Sequence, residues 1–330
     1  MSSLLARFAE NLFWMARYME RAENLARILD VNESFARDSS GAQDWGPMVQ
    51  LHNDDTAFSK QYKQATSDSV VNYYVIDRKN PNSIAYSVWA ARENARSLRH
   101  LISIEVWSQL NVFYEFVRGL KPRDLRLAAL SPLCQVIKEG CQLHTGIIEG
   151  TTYRDQGWTF YQLGKLIERA DQTTRLLDIK YHRLLPQASD IGSAIDVSQW
   201  NALLRSAAAY HGYRRVHPSA MTPATVAGFI LLRREFPRSV NACTRAIRNR
   251  LDELARDPDL AGVRLDLGPL QDLEGLVSVT IKEAIDQGLH EHLDKIQIAL
   301  HSLANALAAV YFDAEEALQA QSQSQSQAMG

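Results

Sequence analysis

A chain of 330 residues, 46% of them apolar and 22% charged, has the composition of a globular protein and the length to bury a sizeable core. Its net charge of −2 gives no electrostatic case for binding nucleic acid or an anionic membrane, and no apolar run approaches the roughly 20 residues of a membrane span. Three scattered cysteines without a Cys-x-x-Cys, and an amphipathic start carrying Glu10 and Glu20 with no signal-peptide core, lead to the expectation of a cytoplasmic protein with buried free thiols.

In chain order, nearly every segment reads helical. A first helix is predicted from about 3 to 35, ending before Asp38-Ser-Ser-Gly41. Short helices follow over 47–53 and 54–77, the second carrying β-prone residues from Val70 to Ile76. Asn80-Pro81-Asn-Ser83 opens the next helix, with Pro81 suited to a first helical position, and that helix carries Ala91-Arg92-Glu93-Asn94-Ala95-Arg96. A helix over about 101–118 ends at Gly119, Pro122 opens another, and Pro132 begins a long one to Glu149. A long helix from Trp158 to about Leu185 stops at Pro186; Asp196 caps one reaching Arg215; Thr222-Pro223 caps one to Arg234. Phe236-Pro237-Arg-Ser239 opens a helix to Ala255, and two more cover about 269–286 and 288–318. The Gln/Ser-rich tail, 319–330, is expected to be disordered.

Within this run the chain repeats itself. Tyr18-Met-Glu20-Arg21-Ala-Glu23-Asn24-Leu-Ala-Arg27-Ile-Leu-Asp30 returns as Leu166-Ile-Glu168-Arg169-Ala-Asp171-Gln172-Thr-Thr-Arg175-Leu-Leu-Asp178, with Arg17 matched by Lys165. Pro237-Arg-Ser239 likewise echoes Pro81-Asn-Ser83, and an arginine follows at the same distance in both copies, Arg92 and Arg248. Two landmarks in one order argue for tandem duplication of a helical unit of about 150 residues. With no strand–helix alternation, the expected fold is all-α: one domain over 1–318, a bundle of two pseudo-two-fold related halves (about 1–150 and 151–318) with the two long helices central and adjacent.

The repeated residues make two stripes. Met15, Met19, Ala22, Leu25, Ala26 and Leu29 form an ordinary buried face. Arg17, Glu20, Asn24 and Arg27 form a second, polar stripe at steps of three and four. The plain reading of that stripe is a solvated face laced with ion pairs. A packed pair of such helices would instead bring Glu20 and Glu168 together with Arg21, Arg169, Asn24 and Gln172. That set can lock helix register as a buried network. It can clamp an anionic or amide ligand, or supply carboxylates with split pKa values for acid–base work. The Arg92-Glu93-Asn94-Arg96 cluster is the other candidate. Familiar signatures are missing: no GxGxxG, P-loop or GxSxG, and no histidine preceded three residues earlier by Glu. His290-x-His292 points two ways on a helix, and His144, His182 and His301 stand alone, so no metal or cofactor is called for.

Met19-Glu20-Arg21-Ala-Glu-Asn24-Leu-Ala-Arg27, Asn80-Pro81-x-Ser83-Ile84, Ala91-Arg92-Glu93-Asn94-Ala95-Arg96, Ile167-Glu168-Arg169-Ala-Asp171 and Phe236-Pro237-Arg238-Ser239-Val240 together resemble the Alpha-E family over about 3–313. This is a bacterial all-helical domain named for its Glu-Arg motif. The resemblance implies a setting more than an activity. Such proteins are typically encoded beside, or fused to, a circularly permuted ATP-grasp protein, often with a transglutaminase-like peptidase. That implies an amide- or peptide-forming system with a peptide or amino-acid substrate. Three readings stay open. In the first, the chain is an accessory subunit of the ligase, binding ligand or partner through Arg17, Arg21, Asn24, Arg27, Arg92, Glu93, Asn94, Arg96, Lys165, Arg169, Gln172 and Arg175. In the second, it is an independent enzyme with Glu20 or Glu168 as general base and Arg21, Arg169 or Arg92 facing developing negative charge. In the third, it is a helical scaffold. Charges entering a shared cavity favour the ligand site, charges facing outward favour docking, and pairs closing on each other across a dry seam favour architecture.

Overall fold

The computed structural model describes residues 3–38, 44–183, 194–218, 221–260 and 262–312. Among these residues fifteen α-helices run in order: α1 Ser3–Asp38, α2 Gly46–Leu51, α3 Asp55–Ser59, α4 Ser67–Val75, α5 Ile84–Ser97, α6 Ile104–Gly119, α7 Leu127–Thr151, α8 Gln156–Arg183, α9 Ala194–Ser206, α10 Tyr210–Val216, α11 Pro223–Leu232, α12 Val240–Ala255, α13 Gly268–Leu276, α14 Ile281–Asp286 and α15 Leu289–Tyr311. Among the described residues there is no strand. The fold is all-α, as the 3.6-residue periodicity of nearly every segment predicts. The Gln/Ser tail and the expected stop at Pro186 lie outside the described residues.

The long helices α1 and α8 form the most extensive helix pair of the molecule. α5 and α7 flank α1, with α6 across their outer side; α12 and α15 flank α8, with α13 across theirs. The short helix after each long one crosses over: α2 packs on α8, and α9 on α1. Being wrapped on all sides, α1 is buried almost continuously from Leu12 to Ala36. Gly164 lets the central pair approach. A Cβ there would lie 3.0 Å from the carbonyl carbon of Phe13 and still closer to its oxygen, so only glycine fits.

Local chemistry sets the ends. Ser83 and Ser239 cap α5 and α12 in the same way, each accepting from the backbone N–H three residues on (Tyr86, Ala242) while its hydroxyl donates back to Asp77 or Arg233 O. Serine capping wins over the proline start expected at Pro81, which lies in the preceding turn. Pro132 sits inside α7 rather than at its head, the helix having begun at Leu127. The segment expected as one helix over 54–77 breaks into α3 and α4, the latter started by a Thr66–Ser69 capping box. The helix expected over 196–215 is broken before α10 by Ala208 at φ 54°, and Asp196 lies inside α9 rather than capping it. The helix expected over 269–286 divides where Thr280 and Glu283 box the start of α14. Arg92 reaches from α5 to Asn111 on α6, and Arg248 from α12 to Glu274 on α13.

Candidate functional site

The polar stripes of α1 and α8 do not face solvent. Arg17, Glu20, Asn24 and Arg27 are buried, as are Lys165, Glu168 and Gln172, with Glu168 fully enclosed at 0% exposure. Charges in such surroundings persist only when paired and hydrogen-bonded, and here the pairing runs between helices. Arg21 Nε and Nη2 donate to the two carboxylate oxygens of Glu168 at 2.7 and 3.1 Å. Arg169 Nε and Nη2 donate to those of Glu20 at 2.8 and 2.8 Å. The two glutamates and two arginines of the repeat therefore exchange forks across the seam, in the bidentate geometry that guanidinium and carboxylate favour.

Each carboxylate carries further donors. Glu168 also accepts from Arg17 Nε at 2.8 Å, and Glu20 from Arg238 Nη1 at 3.0 Å. Asn24 and Gln172 donate amide N–H groups to the glutamates one turn back on their own helices, at 2.9 and 3.2 Å. Farther along, Glu23 holds Arg27 and Arg238, and Asp171 holds Arg175. Those two arginines then cap helix ends: Arg27 donates to Ser206 O at the end of α9, Arg175 to Leu51 O at the end of α2. The acids below them are met by the flanking helices. Asp30 accepts from Ser131 and Lys138 of α7, while Asp178 pairs with His290 of α15.

Electrostatics follow from this pairing. Burial acts to raise Glu20, but Arg169 and Arg238, with hydrogen bonds from Arg169 and Asn24, outweigh it and hold the carboxyl well below its usual range. Burial likewise acts to raise Glu168, and Arg21 and Arg17 overcome it. Burial acts to lower Arg21 and Arg169; the facing carboxylates reverse this and raise both. Arg27 is lowered by burial and by Arg238. Lys165 is lowered by burial and Arg169; it pairs with Glu149 at 3.1 Å rather than with a clasp carboxylate, the place where the match to Arg17 fails. Because the folded carboxylates sit below their ordinary value of 4.5, the unfolded chain binds their protons more readily. Their contribution is complete above that pH and is lost as pH falls through the folded values. The thermal midpoint by circular dichroism is therefore expected to fall steeply below about pH 4.5, on top of a decline that starts below about pH 6.5 because burial lowers His52 and His144 to about 3; a midpoint unchanged between about pH 4.5 and 3 would contradict charged, paired glutamates.

The structure thus brings the predicted residues to the α1–α8 seam in two hydrogen-bonded sets, Arg17, Arg21, Gln172 and Arg175 around Glu168 and Asn24, Arg27 and Arg169 around Glu20. It does not bring the α5 cluster there. Arg92 pairs with Glu93 and lies over the rings of Trp107 and Tyr114; Arg96 pairs with Glu93. Asn94, half-buried, shares no hydrogen bond with the seam. Sequence reading did not count Arg238 among the site residues, although it stands in the duplicated Pro-x-Ser turn, where the first copy has Asn82, and in the Phe236–Val240 motif. Cys134, Cys141 and Cys243 are buried and free, with burial pushing the Cys243 thiol up to about 11. The side chain of His182 lies outside the described residues; burial lowers His144 to about 3. Among the described residues no group of three or more His, Cys, Asp or Glu is placed to hold a metal ion, and no helix is long and apolar enough to cross a membrane.

A family model described as "a predicted alpha-helical domain with a conserved ER motif" matches residues 4–312, nearly the whole chain. The protein belongs to the Alpha-E family. Its Glu-Arg pairs are Glu20-Arg21 and Glu168-Arg169, the two halves of the clasp. The chain is also similar to uncharacterized proteins of Mycobacterium bovis and Mycobacterium tuberculosis, 28% identical over 191 residues. That match takes in 52% of this Alpha-E chain but only 22% of the relatives, so it corresponds to about a fifth of their length. No solved structure matches.

Proposed function

We propose that this chain is the non-catalytic helical subunit of an amide- or peptide-forming system whose catalytic member is a circularly permuted ATP-grasp ligase. In this reading the Glu-Arg clasp maintains the fold on which that partner, and through it a peptide or amino-acid substrate, is positioned. The observation that carries it is the state of the two glutamates. Each is enclosed, held by arginines on both oxygens and kept far more acidic than a base working near neutral pH needs to be. Arginines that already fork onto carboxylates have little left for a second anion. The small share of the mycobacterial relatives covered by the match supports a domain that works beside other units. The matched contacts of α5 with α1 and α12 with α8, and the reciprocal forks, support a tandem duplication. Such a system works where ATP is available, in the cytoplasm.

The test is amide-bond formation by the neighbouring ATP-grasp protein, given ATP and candidate amino acids, with and without this chain, read by mass spectrometry. The expected result is that this chain alone forms nothing and changes the yield or length of the ligase's product. Identical products either way would sink the proposal. Retained stimulation by a folded Glu168→Gln variant would further separate a structural clasp from a catalytic base.

A further inference from the structure

Three of the six tryptophans, Trp45, Trp158 and Trp200, are buried in the core. The other three, Trp14, Trp89 and Trp107, are half-buried or exposed, and they lie on adjacent helices, α1, α5 and α6. Ring contacts join them across the surface. Trp14 meets Tyr18 at 5.5 Å, Tyr18 meets Tyr86 at 6.1 Å, and Tyr86 meets Trp89 at 5.4 Å. One turn on from Trp89, Arg92 lies over Trp107 and Tyr114, and Arg99 covers Trp107 from 5.2 Å. Tryptophan, tyrosine and arginine carry most of the binding energy at protein interfaces, because they offer large rigid apolar area with a polar edge. Trp89 leaves 41% of itself exposed, a cost in apolar surface that a stable fold has no use for.

The charges along this face say what covers it. Arg92, Arg96 and Arg99 line the outer side of α5 and its end, where the one carboxylate of that helix, Glu93, is shared by Arg92 and Arg96, while Glu115 of α6 is taken up by Arg118. Arg99 pairs with no carboxylate among the described residues and has only its indole. We infer that the α1–α5–α6 face is a docking surface for an acidic, apolar segment of a partner protein: its apolar side chains lie against Trp89 and Tyr86, and its carboxylates on Arg99 and Arg96. A net charge of −2 over the whole chain makes this a poor track for a nucleic-acid backbone. The inference deepens the accessory-subunit reading by naming where the partner sits, but its test does not need the ligase.

The full chain is titrated, with tryptophan fluorescence as readout, with three probes. These are a synthetic 20-residue amphipathic peptide bearing Glu and Asp on one face and Leu and Phe on the other, the same peptide with Lys for every acid, and a dT20 oligonucleotide. The acidic peptide is expected to bind at least tenfold more tightly than the others. Trp89→Ala and Arg99→Glu, both surface changes whose folding is checked by circular dichroism, should each weaken it about tenfold. Binding equal for both peptides, absent for all three probes, or tightest for dT20 overturns the inference. So does a chain that sediments as a dimer until Trp89→Ala makes it a monomer, since the face would then be covered by a second copy. Loss of ligase stimulation by wild-type chain, with peptide binding intact, would remove the reading above and leave this surface standing.

Discussion

Replacing Glu168 with alanine is expected to destabilise the protein by about 3–5 kcal/mol, the usual consequence of leaving a buried ion partner alone. The size follows from what remains. Among the described residues, Glu168 is the sole carboxylate partner of both Arg17 and Arg21. Arg21 keeps 18% of its side chain exposed and can lean towards water; Arg17, at 8%, lies over the Trp14 ring with less room to move. Urea unfolding checks this as a drop in midpoint at constant slope. A loss below about 1 kcal/mol would show that the pairing stabilises far less than its burial implies. Substituting the whole set with apolar residues (Glu168→Leu, Arg17→Met, Arg21→Met) is expected to be milder than the single change, because no buried charge is then left unmatched.

Gly164→Ala is expected to cost about 3 kcal/mol, the upper end for overpacking a well-filled interior. The obstacle is the Phe13 backbone, which has no rotamer to escape into. α1 and α8 must separate, and they do so one helical turn from Glu168, stretching the forks as well. Gly146, on α7, is the natural control: an added Cβ there meets nothing within 4 Å, so Ala should be neutral or stabilise by about 0.5–1 kcal/mol. Differential scanning calorimetry of both variants decides the point. Combining Gly164→Ala with Glu168→Ala should cost less than the two separately, since a seam already parted has less clasp to lose.

What could be read in advance follows from what periodicity encodes. Spacing showed that Glu20, Asn24 and Arg27 share a face, and repetition singled out their counterparts around Glu168. Spacing does not say which helix that face meets, so the solvated stripe and the buried clasp were equally consistent with the letters. Helix content was legible because apolar residues recur at three and four through almost every segment. Breaks were not: Ala208 adopts a positive φ that no sequence rule assigns to alanine, and Pro132 reads as a helix start although α7 begins a turn and a half earlier. Arg238 escaped because a turn residue's reach is set by where the turn is placed, a tertiary matter. The carbonyls of Ser206 and Leu51, bare helix ends awaiting a donor, have no letter at all.

The arginines on each clasp glutamate all come from the other half of the chain: Glu20 is held by Arg169 and Arg238, Glu168 by Arg17 and Arg21. During synthesis, therefore, Glu20 and Arg21 leave the ribosome long before their mates, which lie 149 and 147 residues downstream. At ordinary elongation rates the wait is on the order of ten seconds. Throughout it Glu23 can already pair with Arg27 and Asp30 with Lys138, but Glu20, Arg17 and Arg21 lack the partners that hold them in the finished fold, so the nascent first half has less reason to close around α1. Synthesis of α8 brings the first of these partners and Arg238 the last, so a ribosome stalled before Glu168 is expected to carry a chain more open to proteases and chaperones than one stalled after Arg238.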